Sequence, residues 1–247
     1  MITLNGEKHL ARALKSAQGV ADEIVVVDCG SMDRTLEIAH GFGAKVLFRE
    51  WTNFSEQRNF AVSQASCEWI FTLDSDEELS GPLRNSLLHW KTREAALGVY
   101  EMPRLTFYMG GWIRHSGWYP NLQRRLYRKE AAKYSGIVHE TLVFAGKPGR
   151  LQGDLLHYTI ETFAEHEAKA EKYSALAAQK LFEEGRRSWR AAVWFAAPWS
   201  FLQSLVIRGG FLDGHRGVLI AQMAARSVRL KFRKLGALVR EQRLQKN

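Results

Sequence analysis

The chain has 247 residues, 46% of them apolar and 25% charged, with a formal net charge of +9. That length suits one large domain or a domain with an appendage, and the composition excludes an intrinsically disordered chain. Two cysteines, Cys29 and Cys67, stand far apart without a Cys/His cluster, which excludes a disulfide scaffold and a zinc ribbon and predicts reduced thiols in a cytosolic protein.

In chain order, a stub of strand over residues 2–4 precedes a helix over 7–18, and the opening stretch is too short for the apolar region of a secretory signal. EIVVVD, residues 23–28, is a valine-rich buried strand. Ser31 and Asp33 offer caps for a helix through His40, which Gly41 and Gly43 end. A strand over 45–49, a helix over 55–64 and a strand over 69–73 follow. Strands alternating with helices of this length predict right-handed βαβ units and a parallel sheet. Ligands bind such sheets beyond the carboxyl ends of the strands, where Asp28 and Asp74 fall.

The pattern then changes. A helix over 81–92 precedes strand-like runs at 99–107, 124–128, 137–144 and 151–158, which predict a mixed sheet completing the same domain. A long helix over 161–184 follows, and from residue 189 the chain reads as an apolar, then basic, helical appendage. The predicted class is therefore α/β, with a mixed, largely parallel sheet flanked by helices and a C-terminal helical extension; the domains are residues 1–160 and 161–247.

FTLDSDEEL, residues 71–79, packs Asp74, Asp76, Glu77 and Glu78 into five positions. Like charges this close repel unless a cation or solvent takes up the charge. Asp74 and Asp76, two apart in an extended turn, suit a hard divalent cation completed by phosphate oxygens. The same tripeptide also suits a solvated loop capping the helix over 81–92, and taken alone it leaves both readings open.

Three ordered stretches, EIVVVDCGSMDRT, FREWTNFSEQRNFAV and WIFTLDSDEEL, resemble the nucleotide-sugar half of an inverting family 2 glycosyltransferase of the GT-A fold. GWYPNLQRRLYRK, SGIVHETL, LLHYT and RGGFLDGHRG narrow the resemblance to lipopolysaccharide core glycosyltransferases of the WaaE/LgtF type, which add glucose to inner-core heptose. The family opens on a longer apolar strand than MITLN. The resemblance makes residues 1–95 the nucleotide-sugar half and 96–160 the acceptor half. It implies a UDP-sugar donor, glucose by analogy, and a divalent cation, Mn or Mg, held by Asp74 and Asp76 with His157 close by. It further implies that Asp28 accepts from uracil or ribose, that Thr3 lines the base, and that Arg58 pairs with nucleotide or phosphate. A surface arginine, a turn aspartate and a satisfied buried histidine are the competing readings of Arg58, Asp28 and His157.

Inverting transfer needs a carboxylate base opposite the departing diphosphate. Glu140 is the first candidate and Glu77 the second, with His139 bonding the acceptor or orienting the carboxylate. Trp118 and Tyr119, in the glycine-rich MGGWIRHSGWYP, suit stacking on acceptor sugars, although core packing claims most tryptophans. Of Arg124 and Arg125, strand alternation sends one toward phosphate and the other to solvent without saying which.

The uncharged run 191–207 contains Pro198 and is too short to span a bilayer. Beyond it, Arg226, Arg229, Lys231, Arg233, Lys234, Arg240, Arg243 and Lys246 stand against Glu241 alone. An aromatic helix beside a basic tail predicts an interfacial segment with a basic anchor on an anionic surface, and the resemblance implies a peripheral protein on the inner face of the cytoplasmic membrane acting on a lipid-linked saccharide. No nucleic acid is expected as partner. Two other readings stay open. A sugar nucleotidylyltransferase would show a glycine-rich, lysine-bearing loop after its first strand, and none is visible. A non-catalytic membrane-surface or nucleic-acid-binding protein would show the same tail.

Overall fold

The computed structural model describes residues 1–136, 140–187 and 190–244. The chain gathers into two compact units. One comprises Met1–Leu105 with Asn121–Tyr158, and the other Thr106–Pro120 with the chain from Thr159 onward.

The first unit opens with β1 (Ile2–Thr3), α1 (Glu7–Ala17), β2 (Val25–Asp28), α2 (Thr35–Gly41), β3 (Lys45–Phe48), α3 (Phe54–Ser63) and β4 (Trp69–Phe71). The apolar stripe of α1 buries Leu10, Ala13 and Leu14. Every residue of β2 is buried, as an apolar run between helices requires. Strands β1, β2 and β3 pair in parallel, with Thr3 opposite Asp28 and Asp28 opposite Phe48. Asn53 caps α3 by accepting from Glu56 N. A cavity of about 530 Å³ lies beside β1, lined by Ile2, Val25, Ile70, Leu73 and Trp90 among others.

The acidic run does not form an open loop. Its second half is a strand, β5 (Glu77–Leu79), followed by α4 (Gly81–Lys91), which Ser80 caps at Leu83 N. Alternation along β5 buries Glu77 and Leu79 and turns Glu78 outward. The chain continues through β6 (Val99–Tyr108), β7 (Gly111–Ile113), β8 (Asn121–Arg128), β9 (Ala132–Ser135), β10 (Thr141–Phe144), β11 (Gly149–Arg150) and β12 (Leu155–Ile160). A seven-stranded sheet runs β4-β8-β6-β12-β5, with β7 and β11 also on β6. The architecture is mixed α/β with flanking helices, as expected. Parallel pairing, however, is found within β1-β2-β3 and between β11 and β6, whereas β4 runs antiparallel to β8. With β1 only two residues long, it is the β6–β8 pair that offers β4 an edge to join. The main core packs Leu73, Leu79, Leu83, Met102, Leu126 and Leu155 together.

In the second unit, α5 (Phe163–Glu183) starts in a capping box between Thr162 and Glu165. It is followed by α6 (Arg190–Leu202), a π-helical turn (Gln203–Ile207), a 3-10 turn (Gly210–Asp213) and α7 (His215–Leu244). Ala178 of α5 meets Leu235 and Val239 of α7, all buried. The basic tail is therefore part of a packed helix through its apolar face, not a free anchor. Segment 106–120, expected with the first domain, gathers with these helices; Tyr108, Ile113, Ile160 and Ile220 share one core. Among the described residues, no helix is long and apolar enough to cross a membrane.

Candidate active site

Thr3 and Asp28 stand opposite each other at the carboxyl ends of β1 and β2. Asp28 is buried; its Oδ2 accepts from Gly30 N and Ser31 N, both at 2.8 Å, and its Oδ1 accepts from the Ser31 hydroxyl. The carboxylate thus builds the turn that leaves β2, and Gly30 takes a positive φ of 104° there. The loop after β1 is laced to this turn: Gly6 N donates to Thr35 Oγ1 at 2.8 Å, and Met32 N donates to Asn5 Oδ1 at 2.9 Å. Thr3 Oγ1 is buried and has no hydrogen-bond partner, and a Cβ on residue 6 would approach it to 2.7 Å. A small residue at position 6 keeps that hydroxyl clear.

Asp74 and Glu77 share Arg125, and each takes a further arginine of its own. Arg58 of α3 donates through Nη2 to Asp74 Oδ1 at 2.7 Å, and Arg125 of β8 donates through Nη2 to Asp74 Oδ2 at 2.7 Å. Arg125 also reaches Glu77 Oε1 at 2.6 Å, and Arg104 of β6 lies 3.4 Å from the same oxygen. Glu77 Oε2 accepts from Asp74 N at 3.1 Å. Burial alone would push the Asp74 carboxyl up, but Arg125 and Arg58 overcome it and hold the group far below the usual carboxylate range. The Arg125 guanidinium, which burial would lower, is carried well above its ordinary value by Asp74 and Glu77. The repulsion among these acids is thus answered by three arginines from three elements.

Two of the candidate residues lie inside this arginine network. Asp74, expected as a metal ligand, accepts from one guanidinium group on each oxygen. Glu77, the second candidate base, is fully buried behind Arg125 and Arg104. Of the arginine pair, Arg125 points inward, while Arg124 is half-exposed, lies 3.9 Å from Glu101 and stacks over Phe144.

Glu140 is brought to the same network. Its Oε1 lies 3.7 Å from Arg58 Nη2, and the side chain keeps about a quarter of its surface exposed. Arg58 is further fixed over the Tyr134 ring at 5.3 Å. Asp76 stands apart from the arginines: His157 Nε2 of β12 is 3.3 Å from its Oδ2. The β5–β12 register, with His157 opposite Glu77, sets this pair. His157 Nδ1 is buried without a partner. Among the described residues, no three His, Cys, Asp or Glu gather to enclose a metal by themselves. An ion here would take Asp76 and His157 and need its remaining donors from a bound diphosphate, a set that a hard cation accepts.

Trp118 and Tyr119 belong to the second unit. Trp118 packs edge-on against Tyr108 at 5.4 Å, largely as core, and Arg114 lies over Tyr119 at 5.7 Å. His139 lies outside the described residues. Arg104 and Tyr134 were missed from sequence, since only strand pairing reveals their nearness to Glu77 and Arg58. Arg104 sits in a strand in which two of every three residues are buried, and an arginine there was the available signal.

Comparison with protein families matches residues 1–146 to "Glycosyl transferase family 2". An uncharacterized glycosyltransferase of Rickettsia typhi is 31% identical over 96% of this chain and 86% of its own length. The lipopolysaccharide core biosynthesis glycosyltransferase LpsC of Rhizobium meliloti is 28% identical over 92% of this chain and 90% of its own. Among solved structures, S. aureus TarS 1–349 in complex with UDP-GlcNAc aligns over 99% of this chain and 90% of that one, at 14% identity and a TM-score of 0.43. Glucosyl-3-phosphoglycerate synthase from Mycobacterium tuberculosis, in complex with Mn2+, UDP and glucosyl-3-phosphoglycerate, aligns over 44% of this chain and 43% of that one at 25% identity and a TM-score of 0.34. The chain belongs to glycosyl transferase family 2.

Proposed function

We propose that this glycosyltransferase moves a hexose, glucose by resemblance, from a UDP-sugar to a heptose of the lipopolysaccharide inner core, with inversion and with a divalent cation, at the inner face of the cytoplasmic membrane. The observation that carries the reading is the separation of roles among the acids. Asp74 and Glu77 are neutralised by arginines, whereas Asp76 with His157, and Glu140, keep partly open carboxylates. The similarity to LpsC supports the acceptor class.

In this reading Thr3, whose hydroxyl is buried and unpaired, meets the base, and the Asp28 turn shapes the wall of its pocket. Asp76 and His157 would hold the cation, which when bound would supply positive charge against that of the diphosphate. Arg58, locked between Asp74 and the Tyr134 ring, sets the position of Glu140. Glu140 takes the proton of the acceptor hydroxyl as that oxygen bonds to the anomeric carbon and the carbon–phosphate oxygen bond breaks, releasing UDP.

Titration with UDP-glucose, with and without Mn2+, tests the reading. Binding strengthened by Mn2+ in the wild type and indifferent to Mn2+ in Asp76→Asn supports it. Equal binding under all four conditions, or none, contradicts it.

A further inference from the structure

RGGFLDGHRG, residues 208–217, plays no part in the chemistry above, yet it is a tightly built turn of the second unit. Asp213 accepts from Arg114 N at 3.1 Å and from His115 N at 3.0 Å, and its Oδ1 lies 3.0 Å from His115 Nδ1. Ser116 N donates to Arg208 O at 2.9 Å. The stem of Arg208 lies on Gly117, where a Cβ would come within 2.6 Å of its Cδ, and the Arg216 guanidinium sits on Gly111 in the same way. A Cβ on Gly217 would fall 1.6 Å from Gly210 O. The turn is therefore clasped to the loop that carries Trp118 and Tyr119.

What this rigid turn presents is apolar. Ile207, Phe211 and Leu212, with Trp194, Phe195 and Trp199 of α6, are 55–78% exposed. Soluble monomers rarely leave so many large apolar side chains open in so short a stretch. Along this part of the chain the charge is almost all of one sign. Between residues 190 and 244 the only acids are Asp213 and Glu241, and Asp213 is consumed by the clasp. Arg208 is exposed and forms no ion pair among the described residues, and Arg229 and Arg233 are exposed on α7. A second copy seated here by two-fold symmetry would bring a second Arg208 to the same interface, with no acid of residues 190–244 left free beside the turn to pair it.

We propose that the 207–212 turn and the exposed face of α6 form a docking element for an anionic phospholipid surface. Tryptophans and phenylalanine would enter the headgroup boundary, and the arginines would meet lipid phosphates. Because the clasp ties the turn to the 109–119 loop, docking orients that loop toward a lipid-linked acceptor. The choice of partner rests on the proposed acceptor class. The surface itself is tested without donor or acceptor.

The test is co-sedimentation of the full chain with phosphatidylcholine vesicles, with and without phosphatidylglycerol, for wild type and Phe211→Glu/Leu212→Glu. Both positions are exposed, and thermal melting and UDP-sugar binding serve as controls for folding. The expected result is binding to the anionic vesicles that weakens with salt and falls about tenfold or more in the double variant. Wild-type binding unchanged by the double substitution, or no binding to anionic vesicles, would overturn the proposal. So would a wild-type dimer that the double variant converts to monomer. A chain that transfers sugar to a soluble acceptor fragment but ignores vesicles separates failure of the docking surface from failure of the transferase reading.

Discussion

Asp74 stands between two guanidinium groups, and removing its charge leaves both Arg58 and Arg125 buried without it. Asp74→Asn is therefore expected to cost about 3–5 kcal/mol of unfolding free energy, measured in urea, and to lower activity through misplacement of Glu140. Because the folded carboxyl is held below its ordinary value, its contribution is fully present above about pH 4 and is lost only as pH falls below that toward the folded pKa. Wild-type stability should thus change little through this group between pH 8 and pH 5. Glu140→Gln is expected to behave differently. Turnover measured by UDP release should fall about 10²–10⁴-fold while UDP-glucose affinity holds within a few-fold, the mark of a lost proton acceptor. Much of this site was legible from residue types: an acidic cluster at a strand end, an arginine in an adjacent helix, and a glutamate downstream. The division of labour among the acids was not legible. It depends on which faces β5 and β8 present, and a one-residue change of register would exchange Arg125 with Arg124.

At the scale of elements, the helices of the first unit and the strands around them match their sequence signals closely, because caps such as Asn53 and Ser80 and buried valine runs are local statements. Strand β5 was illegible, since Glu-Glu-Leu carries no strand signal. What fixes it is antiparallel pairing with β12 and the arginines that receive Glu77, both distant in sequence. Helix α5 carries a testable titration. Burial, with a smaller contribution from Lys169, lowers the His166 pKa while its Nδ1 sits 2.8 Å from the Tyr108 hydroxyl. A histidine harder to protonate when folded stabilises fully above its unfolded value near about 6.5 and loses that stability as pH falls below it. The melting temperature should drop between pH 7.5 and pH 5.5, and His166→Gln should reduce that drop. Equal drops in both proteins would contradict the assignment.

For the molecule as a whole, the basic C-terminal segment illustrates how composition and packing divide the information. Its charge was plain in the sequence, and so was its helical character, but Leu235 and Val239 packing on Ala178 shows a structural helix with a basic outer face. Truncation after residue 225 should consequently expose the apolar face of α5 and raise its sensitivity to limited proteolysis, not simply release the protein from a surface. The central claim, that these two carboxylate sites serve inverting transfer, is tested most directly by the product. With a heptose-bearing core acceptor and a panel of UDP-sugars in Mn2+, the account predicts UDP release with one hexose. It also predicts a new glycosidic bond of opposite anomeric configuration by NMR, lost in both Glu140→Gln and Asp76→Asn. Product of retained configuration, or full turnover in either variant, would contradict it.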